Sequence, residues 1–240
     1  MSNLKKRLQR EMFLVRPWSV VINPFFIIRQ GIYKGVEKQA ASITGNILDF
    51  GCGSKPYESL FTRSQSYVGI DLEVTGHDHE NSKVDVFYDG KKIPFPDNHF
   101  DAVVCFEVFE HIFNLDEVLN EIRRVTKPGG KILATIPFAW DEHEQPYDFA
   151  RYTSFGIQHL LEKAGYQISS LEKTTSYVEA VGQLMIAFVS QHVGPKNLAL
   201  AAIFQGLFIF PMTLWVLFWN LILPKREELF CNIVVVATKS

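Results

Sequence analysis

The sequence predicts an α/β fold in which a mostly parallel sheet is covered by helices. Short buried-strand runs alternate with helical stretches along the chain, and this alternation is typical of parallel sheets. A glycine-rich turn, Gly51-Cys52-Gly53, follows the first run, and the second run ends in an acid, Asp71. Ligands of open α/β sheets bind outside the carboxyl ends of the strands, so these residues predict a binding site there.

The predicted elements follow one another in a regular order. Residues 17–45 have the apolar and aromatic faces of one or two helices, which Pro24 starts or interrupts. The stretch 115–125 repeats its apolar residues at helical spacing, and 153–164 is a further helix that stops at Gly165. Runs of strand character are predicted at residues 47–50, 67–71, 101–106, 131–136, 166–173 and 230–238.

Composition and charge exclude several classes of protein. The chain has 240 residues, a net charge of -2 and 47% hydrophobic residues. This composition is sufficient for a large core and excludes a disordered or collagen-like chain. The small net charge argues against a nucleic-acid-binding protein. Three separated cysteines, and no secretory signal, indicate a cytoplasmic setting without a disulfide scaffold.

Changes of pattern along the chain predict four segments. A helical amino-terminal cap comes first, and the binding domain with its glycine turn follows it. A long apolar helical insert then separates the last strand of the sheet from the strand before it. The predicted boundaries of these four segments are 1–45, 46–175, 176–228 and 229–240.

The glycine turn differs from a pyrophosphate cradle. The pattern G-x-G-x-x-G is incomplete because Pro56 stands where the third glycine belongs, and the Walker pattern is also absent. This departure argues against a nicotinamide-dependent oxidoreductase. Asp71 follows the turn by about 20 residues, the distance at which an acid accepts hydrogen bonds from a ribose diol in nucleotide sites.

A set of short motifs occurs in a fixed order across residues 40–175 and resembles class I S-adenosylmethionine-dependent methyltransferases of the methyltransferase-11 type. The motifs are Ile-Leu-Asp-Phe-Gly-Cys-Gly-Ser at 47–54, Val-Gly-Ile-Asp at 68–71, Ile-Pro-Phe-Pro-Asp at 93–97, Phe-Asp-Ala-Val-Val at 100–104, Glu-Val-Phe-Glu-His at 107–111 and Val-Thr-Lys-Pro-Gly-Gly-Lys at 125–131. The resemblance implies a Rossmann-like seven-stranded sheet with an antiparallel last strand, and S-adenosylmethionine as the cofactor.

The resemblance also implies roles for single residues at the carboxyl edge. Asp71 would bind the ribose hydroxyls, Asp89 would face the adenine amino group, and Phe106 with Glu107 would border the sulfonium, while Asp49, Gly51 and Gly53 would line the amino-acid part. The full predicted cofactor set is Asp49, Gly51, Cys52, Gly53, Asp71, Leu72, Asp89, Gly90, Phe106, Glu107 and His111.

The acceptor side of the site is predicted in residues 140–153, which follow a strand and collect aromatic, acidic, histidine and arginine side chains. His143 is the candidate general base for an acceptor hydroxyl. Asp148, Arg151 and Tyr152 are predicted to shape or orient the acceptor. In the alternative interpretation, Asp148 and Arg151 form a structural ion pair in a capped loop.

No metal site is predicted. Glu107 and His111 are four residues apart and would share a face if their stretch were helical, with Glu110 between them. Glu-His pairs also line the cofactor in the methyltransferases that this chain resembles, and we take that interpretation. His77 and His79 are predicted to lie in a solvated loop.

The insert contains the longest apolar run of the chain. In residues 198–223, 21 of 26 residues are hydrophobic and none is charged. A run of this length is long enough for a membrane span. A single pass would separate the strands on either side of the run, so three alternatives remain. They are a hairpin that dips into one leaflet and breaks near Pro211 or at Gly194-Pro195, a helix lying in the interface, and burial inside the protein or a homodimer.

A basic amino terminus with Lys5, Lys6, Arg7 and Arg10 favours the first two alternatives, because anionic lipids attract clustered cations. The sequence therefore predicts a cytoplasmic methyltransferase at the inner membrane face. Its acceptor would be a small or lipid-linked molecule of envelope glycan or isoprenoid metabolism, and not a nucleic acid. The alternative is a non-catalytic binding or scaffold protein with the same fold.

Overall fold

The structure is a computed structural model that describes residues 13–73 and 82–240 of the chain. It divides into two compact units, Gly35–Glu172 with Ile233–Ser240, and the described residues up to Lys34 with Lys173–Asn232. We call these the sheet unit and the helical unit. The basic residues at positions 5–10, together with His77 and His79, lie outside the described residues.

The sheet has seven strands in the order β3-β2-β1-β4-β5-β7-β6, with β7 antiparallel to the others. This arrangement confirms the predicted Rossmann-like fold. The strands are β1 Gly45–Phe50, β2 Ser64–Leu72, β3 Val86–Tyr88, β4 Phe100–Phe106, β5 Thr126–Pro137, β6 Tyr166–Lys173 and β7 Asn232–Lys239.

The strand order reverses at β1, which pairs in parallel with β2 on one side and with β4 on the other. β1 and β4 are short apolar runs, and Ile47 and Leu48 are fully buried opposite Ala102 and Val103. Because the connections from β1 and β4 leave in opposite directions, a crevice forms outside their carboxyl ends. The predicted site residues follow these strand ends.

Six α-helices are found among the residues that the structure describes. They are α1 Ser19–Ile22, α2 Phe26–Ala40, α3 Leu115–Val125, α4 Ser154–Lys163, α5 Tyr177–Phe188 and α6 Leu198–Ile222. In α3 the buried residues Leu115, Leu119, Ile122 and Val125 repeat every three or four positions, as the apolar spacing predicts. The Thr153 hydroxyl caps α4 by accepting a hydrogen bond from Gly156 N at 3.1 Å.

β3 and the start of β5 differ from the prediction. β3 has only three residues, Val-Phe-Tyr, and a run this short does not show the alternation that would distinguish a strand from a loop. The predicted strand begins only at residue 131, after Pro128, whereas β5 begins at Thr126. Its register against β4 shifts between Phe100 and Ala102, and this bulge accommodates Pro128 and Gly129, the latter with a φ of +72°.

The helical unit contains two long helices joined by a short turn. A π-helical turn at Val189–Val193 extends α5, and the chain leaves the helix at Gly194 before α6 begins. α6 passes Pro211 without a break, because a second π-helical turn ends at Ile209 and Pro211 then occupies the first turn of the next α-helical segment. Phe26, Ile27, Ile186 and Ile209 form the core of this unit.

Candidate functional site

The glycine turn after β1 is tied to the end of β2. The backbone N–H groups of Gly51 and Cys52 both donate to Ile70 O, at 2.9 and 3.0 Å. Gly51 has a φ of +70°, and a Cβ there would lie 2.5 Å from Val108 Cγ2. Gly53 has a φ of +45°, but a Cβ there would meet no described atom within 4 Å. Packing therefore requires the first glycine, and the second borders open space.

Asp71 joins this turn to β2. Its Oδ2 accepts a hydrogen bond from Gly53 N at 2.9 Å and its Oδ1 accepts one from Leu72 N at 2.8 Å. Two backbone donors thus fix the carboxylate, and each oxygen retains acceptor capacity for a further donor. A Cβ on Gly90 would lie 3.2 Å from Leu72 Cδ2, so these two predicted cofactor residues also lie together.

Asp49 is buried beneath the turn and accepts a hydrogen bond from the Tyr67 hydroxyl at 2.7 Å. Burial raises the pKa of Asp49 to about 7. The buried Lys55 ammonium contacts the Asp85 carboxylate, which also accepts from Gly69 N at 2.7 Å. Lys55 and Asp85 were not predicted, because no motif spacing connects residues that meet only through the fold.

Asp89 lies in an exposed turn and its Oδ1 accepts hydrogen bonds from Lys91 N and Lys92 N, at 2.9 and 3.3 Å. These backbone hydrogen bonds lower the pKa of Asp89 below its usual value. The carboxylate therefore stabilises its own turn, and its role toward adenine stays a prediction.

Phe106 and Glu107 end β4 on the side of the crevice. The Phe106 ring packs edge-on against Tyr57 with centroids 4.9 Å apart. Glu107 has a φ of +57°, and its N–H donates to Thr135 O of β5 at 3.1 Å. A non-glycine residue in this conformation is strained, and such strain is concentrated at functional sites.

The turn after β4 and the predicted acceptor stretch after β5 are bonded to one another. Phe149 N and Ala150 N both donate to Glu110 O, at 2.8 and 3.2 Å. His111 Nδ1 lies 2.9 Å from Tyr147 O, and the rings of His111 and His143 lie edge to face at 4.9 Å. The fold thus joins His111, from the predicted cofactor set, to His143, from the predicted acceptor set.

Asp148 and Arg151 form a bidentate ion pair in which Arg151 Nη2 donates to Asp148 Oδ2 at 2.6 Å. His143 N also donates to Asp148 Oδ2 at 2.9 Å. Burial alone would raise the pKa of Asp148, but the hydrogen bonds from Arg151 and His143 hold it at about 2. Tyr152 is half-buried, and burial raises the pKa of its hydroxyl. The pair therefore anchors the backbone that carries His143.

Glu110 was not predicted as a site residue, although it lies inside the Glu-x-x-Glu-His motif. Its side chain is 0% exposed, and its Oε1 lies 3.7 Å from His111 Nε2 and 3.8 Å from His143 Nε2. Burial, followed by the charge of Glu107, raises the pKa of Glu110 well above its usual value.

Comparison with known proteins supports the fold and its chemistry. Residues 48–134 match the family described as methyltransferase domain, and this stretch runs from β1 into β5 with the crevice residues between them. Among solved structures, an S-adenosylmethionine-dependent methyltransferase from Mesorhizobium loti superposes with a TM-score of 0.52 at 12% identity, over 87% of this chain and 98% of that one. The likeness at this identity concerns the fold.

Two relatives by sequence are biosynthetic methyltransferases. The chain is 44% identical over 62 residues to a ubiquinone/menaquinone biosynthesis C-methyltransferase of Burkholderia cenocepacia, which is 25% of each protein. It is 32% identical over 150 residues to a ubiquinone biosynthesis O-methyltransferase of Dechloromonas aromatica, over 56% of this chain and 62% of the relative. The match thus spans a quarter of the first relative and less than two thirds of the second.

Proposed function

We propose that this chain is a class I S-adenosylmethionine-dependent methyltransferase, as the match of residues 48–134 to the methyltransferase domain supports, and that it transfers a methyl group to a small or lipid-linked acceptor at a membrane surface. S-adenosylmethionine is the cofactor of this class. The proposal has three parts, which are the cofactor site at the glycine turn, the acceptor site beside it and the membrane contact.

The residues of the glycine turn fit the cofactor, and the arrangement of Asp71 is the observation that carries the proposal. Its carboxylate is fixed by two backbone donors, at 2.9 and 2.8 Å, and has lone pairs left for the two hydroxyls of a ribose. The open space beside Gly53 admits a ligand close to the backbone. Asp49, under the turn, would lie near the amino-acid part.

The bound cofactor supplies an activated methyl group on a cationic sulfur, so the protein's task is to align the acceptor and to remove its proton. We assign the second task to His143 when the acceptor is a hydroxyl. Asp148 Oδ2 lies 3.3 Å from His143 Nδ1 and stabilises the imidazolium that would form. Arg151 fixes Asp148, and Tyr152 borders the same stretch.

The two biosynthetic relatives support a hydrophobic small molecule as the acceptor. Their names place them in ubiquinone or menaquinone biosynthesis, and these quinones carry isoprenoid chains. An acceptor with such a chain is dissolved in a membrane, where a soluble domain meets it only at the surface. We therefore assign this chain a lipid-linked or isoprenoid acceptor and a place at the cytoplasmic face.

The helical unit supports the membrane contact. α6 has 25 residues, and only 11% of its most apolar stretch is buried. Leu207, Trp215 and Leu221 are among its exposed side chains, and α5 exposes Met185 and Phe188. An apolar surface of this extent marks a contact with a partner or a membrane. Tyr177 N donates to Arg226 O at 2.6 Å, so both ends of the α5–α6 hairpin lie on one side.

Binding and transfer are tested separately, because a scaffold protein of this fold would bind the cofactor without transferring its methyl group. We expect calorimetry to detect S-adenosylmethionine binding by the full chain, and Asp71→Asn to weaken it at least tenfold. Asp97→Asn changes an exposed carboxylate before β4, at the opposite edge of the sheet, and is expected to bind normally.

Transfer is measured with methyl-labelled cofactor and membrane lipid and glycan extracts. Label in the lipid fraction from the wild type, and not from Asp71→Asn, is the expected result. Binding without incorporation would support the scaffold alternative, and equal incorporation by the two proteins would refute the cofactor site.

A further inference from the structure

Three potential metal ligands converge between the turn after β4 and the loop after β5. Glu110 Oε1, His111 Nε2 and His143 Nε2 all lie within 4.8 Å of one another. Glu110 and His111 come from the 3₁₀ turn Phe109–His111, whereas His143 belongs to the loop that is bonded to it through Glu110 O. The sequence did not predict this set, because His143 is more than 30 positions away from the other two.

The Glu110 carboxylate has nothing to neutralise it at hydrogen-bond distance. It is fully buried, and neither of its oxygens has a donor among residues 13–73 and 82–240. Burying an ionised carboxylate without a partner is strongly unfavourable, so such groups are paired or bind metals. The surrounding charges also favour a cation, since Glu107, Glu144 and Asp148 accompany Glu110, against the charge of Arg151.

Both imidazoles direct a lone pair toward this carboxylate. His111 Nδ1 lies 2.9 Å from Tyr147 O, and a carbonyl oxygen only accepts, so the proton of the neutral ring is on Nδ1. His143 Nδ1 lies 3.1 Å from Asp141 O and 3.3 Å from Asp148 Oδ2, which are also acceptors. The donor Arg151 Nη2 is farther away, at 3.5 Å, so we take the proton of this ring to be on Nδ1 as well. Metal-binding histidines are held in this way, with the outer nitrogen donating to a carbonyl or carboxylate.

The spacing fits a metal ion placed between the three atoms. Glu110 Oε1 lies 3.7 Å from His111 Nε2 and 3.8 Å from His143 Nε2. Ligand bonds of about 2.0–2.1 Å at tetrahedral angles separate the ligand atoms by about 3.3 Å, so small rotations would close the site. Glu144 Oε2, 3.6 Å from His111 Nε2, offers a fourth oxygen.

We propose that Glu110, His111 and His143 bind a divalent transition-metal ion of the zinc class. Two imidazoles and one carboxylate are a donor set of zinc and non-haem iron sites, and they leave coordination positions open. The sheet unit contains all three ligands, so the site needs no contribution from another chain.

The catalytic consequence rests on the proposed function. With the ion bound, the Nε2 lone pair of His143 would be a ligand, so the general-base role assigned to His143 above would apply to the metal-free chain only. The ion would instead lower the pKa of an acceptor hydroxyl at an open coordination position, and the hydroxyl proton would pass to water. The acceptor oxygen forms the new bond to the methyl carbon, and the carbon–sulfur bond breaks with its electron pair remaining on sulfur.

Titration of the chelator-treated full chain with Co²⁺ tests the site, because four- and five-coordinate Co²⁺ absorbs visible light. We expect one ion per chain, displaced by Zn²⁺. Glu110→Gln and His143→Asn are expected to weaken binding by more than about 100-fold, since loss of a supporting residue alone costs 10–100-fold. His159→Asn removes an exposed histidine and is expected to bind Co²⁺ as the wild type does.

Glu110→Gln is expected to fold, because the Glu110 side chain has no hydrogen-bond partner to lose among the described residues, and Zn²⁺ is expected to raise the Tm of the wild type only. No Co²⁺ binding by the wild type, or equal binding by both ligand variants, would overturn the proposal. Calorimetry with S-adenosylmethionine on the same samples separates the two proposals: cofactor binding without Co²⁺ binding refutes only the metal site, and the reverse refutes only the cofactor site.

Discussion

Gly51 and Gly53 are two residues apart in one turn, yet the fold requires them for different reasons. Both have a positive φ, which a side chain disfavours. A methyl group on Gly51 would also collide with Val108 Cγ2 at 2.5 Å, whereas one on Gly53 would project into empty space. The first glycine therefore serves the packing of the turn, and the second serves the space that we assign to the cofactor.

Alanine substitutions separate these roles. Gly51→Ala is expected to lower the free energy of unfolding by about 3 kcal/mol, because strain and overpacking add. Gly53→Ala is expected to lower it by about 1 kcal/mol but to weaken S-adenosylmethionine binding at least tenfold. Urea unfolding and calorimetry measure the two quantities. Wild-type cofactor affinity in Gly53→Ala would contradict the assignment of that space.

The buried carboxyl of Asp49 makes stability depend on pH. Its pKa rises from 3.8 in the unfolded chain to about 7 in the fold. The folded state consequently holds this proton more tightly, so its contribution to stability is complete below about pH 4 and is lost as the pH rises through 7.

Asp49→Asn keeps an acceptor for the Tyr67 hydroxyl and removes the titration. We expect the variant to be more stable than the wild type by about 4 kcal/mol at pH 8, and about equally stable at pH 4. Urea unfolding of the cofactor-free protein at both pH values measures this difference. A stability difference that is the same at pH 4 and pH 8 would show that Asp49 is already ionised in the fold.

At the scale of elements, prediction was most accurate where one periodic pattern decides the structure. The apolar spacing of α3 predicts its bounds, Leu115–Val125, because one stripe packs on the sheet. β1 and β4 are recognisable as mostly apolar runs between turn residues. β3 was missed because three residues carry no pattern, and β5 was predicted too short because its bulge contains the residues that normally end a strand.

The candidate site could be predicted in its parts but not in its assembly. Glycine turns and strand-end acids are local patterns, so Gly51, Gly53 and Asp71 were identified without the fold. The contacts of Lys55 with Asp85, and of Glu110 with His143, join distant stretches, and no spacing encodes them. The one local signal for Glu110 was its place in the Glu-x-x-Glu-His motif of the turn.

At the scale of the whole molecule, the α5–α6 hairpin lies in the chain between the last two strands of the sheet. β6 precedes the hairpin, β7 follows it, and the two strands are neighbours in the sheet. α6 is about 37 Å long at 1.5 Å per residue, longer than the hydrocarbon core of a bilayer at about 30 Å. Because both flanking strands belong to one sheet, a single crossing is excluded, and the exposed apolar surface favours insertion from one side.

Flotation with vesicles tests this membrane contact. We expect the wild type to float with vesicles that contain phosphatidylglycerol, and the double variant Leu207→Glu/Leu221→Glu to lose at least tenfold in vesicle binding. These side chains are 67% and 83% exposed, and a charge placed in hydrocarbon costs about 2.5–3.5 kcal/mol. The control Phe155→Glu introduces a single glutamate at an 82% exposed position of α4, and we expect this variant to float as the wild type does.

The alternative occupant of this surface is a second copy of the chain, and the same variants distinguish it. A membrane contact predicts that the detergent-free wild type needs vesicles to stay in solution, whereas a dimer interface predicts a stable dimer in sedimentation that Leu207→Glu/Leu221→Glu dissociates. A soluble dimer that ignores anionic vesicles would refute the membrane contact. The methyl acceptor would then have to reach the site from solution, because nothing else in the described part of the chain offers a lipid-sized apolar surface of comparable length.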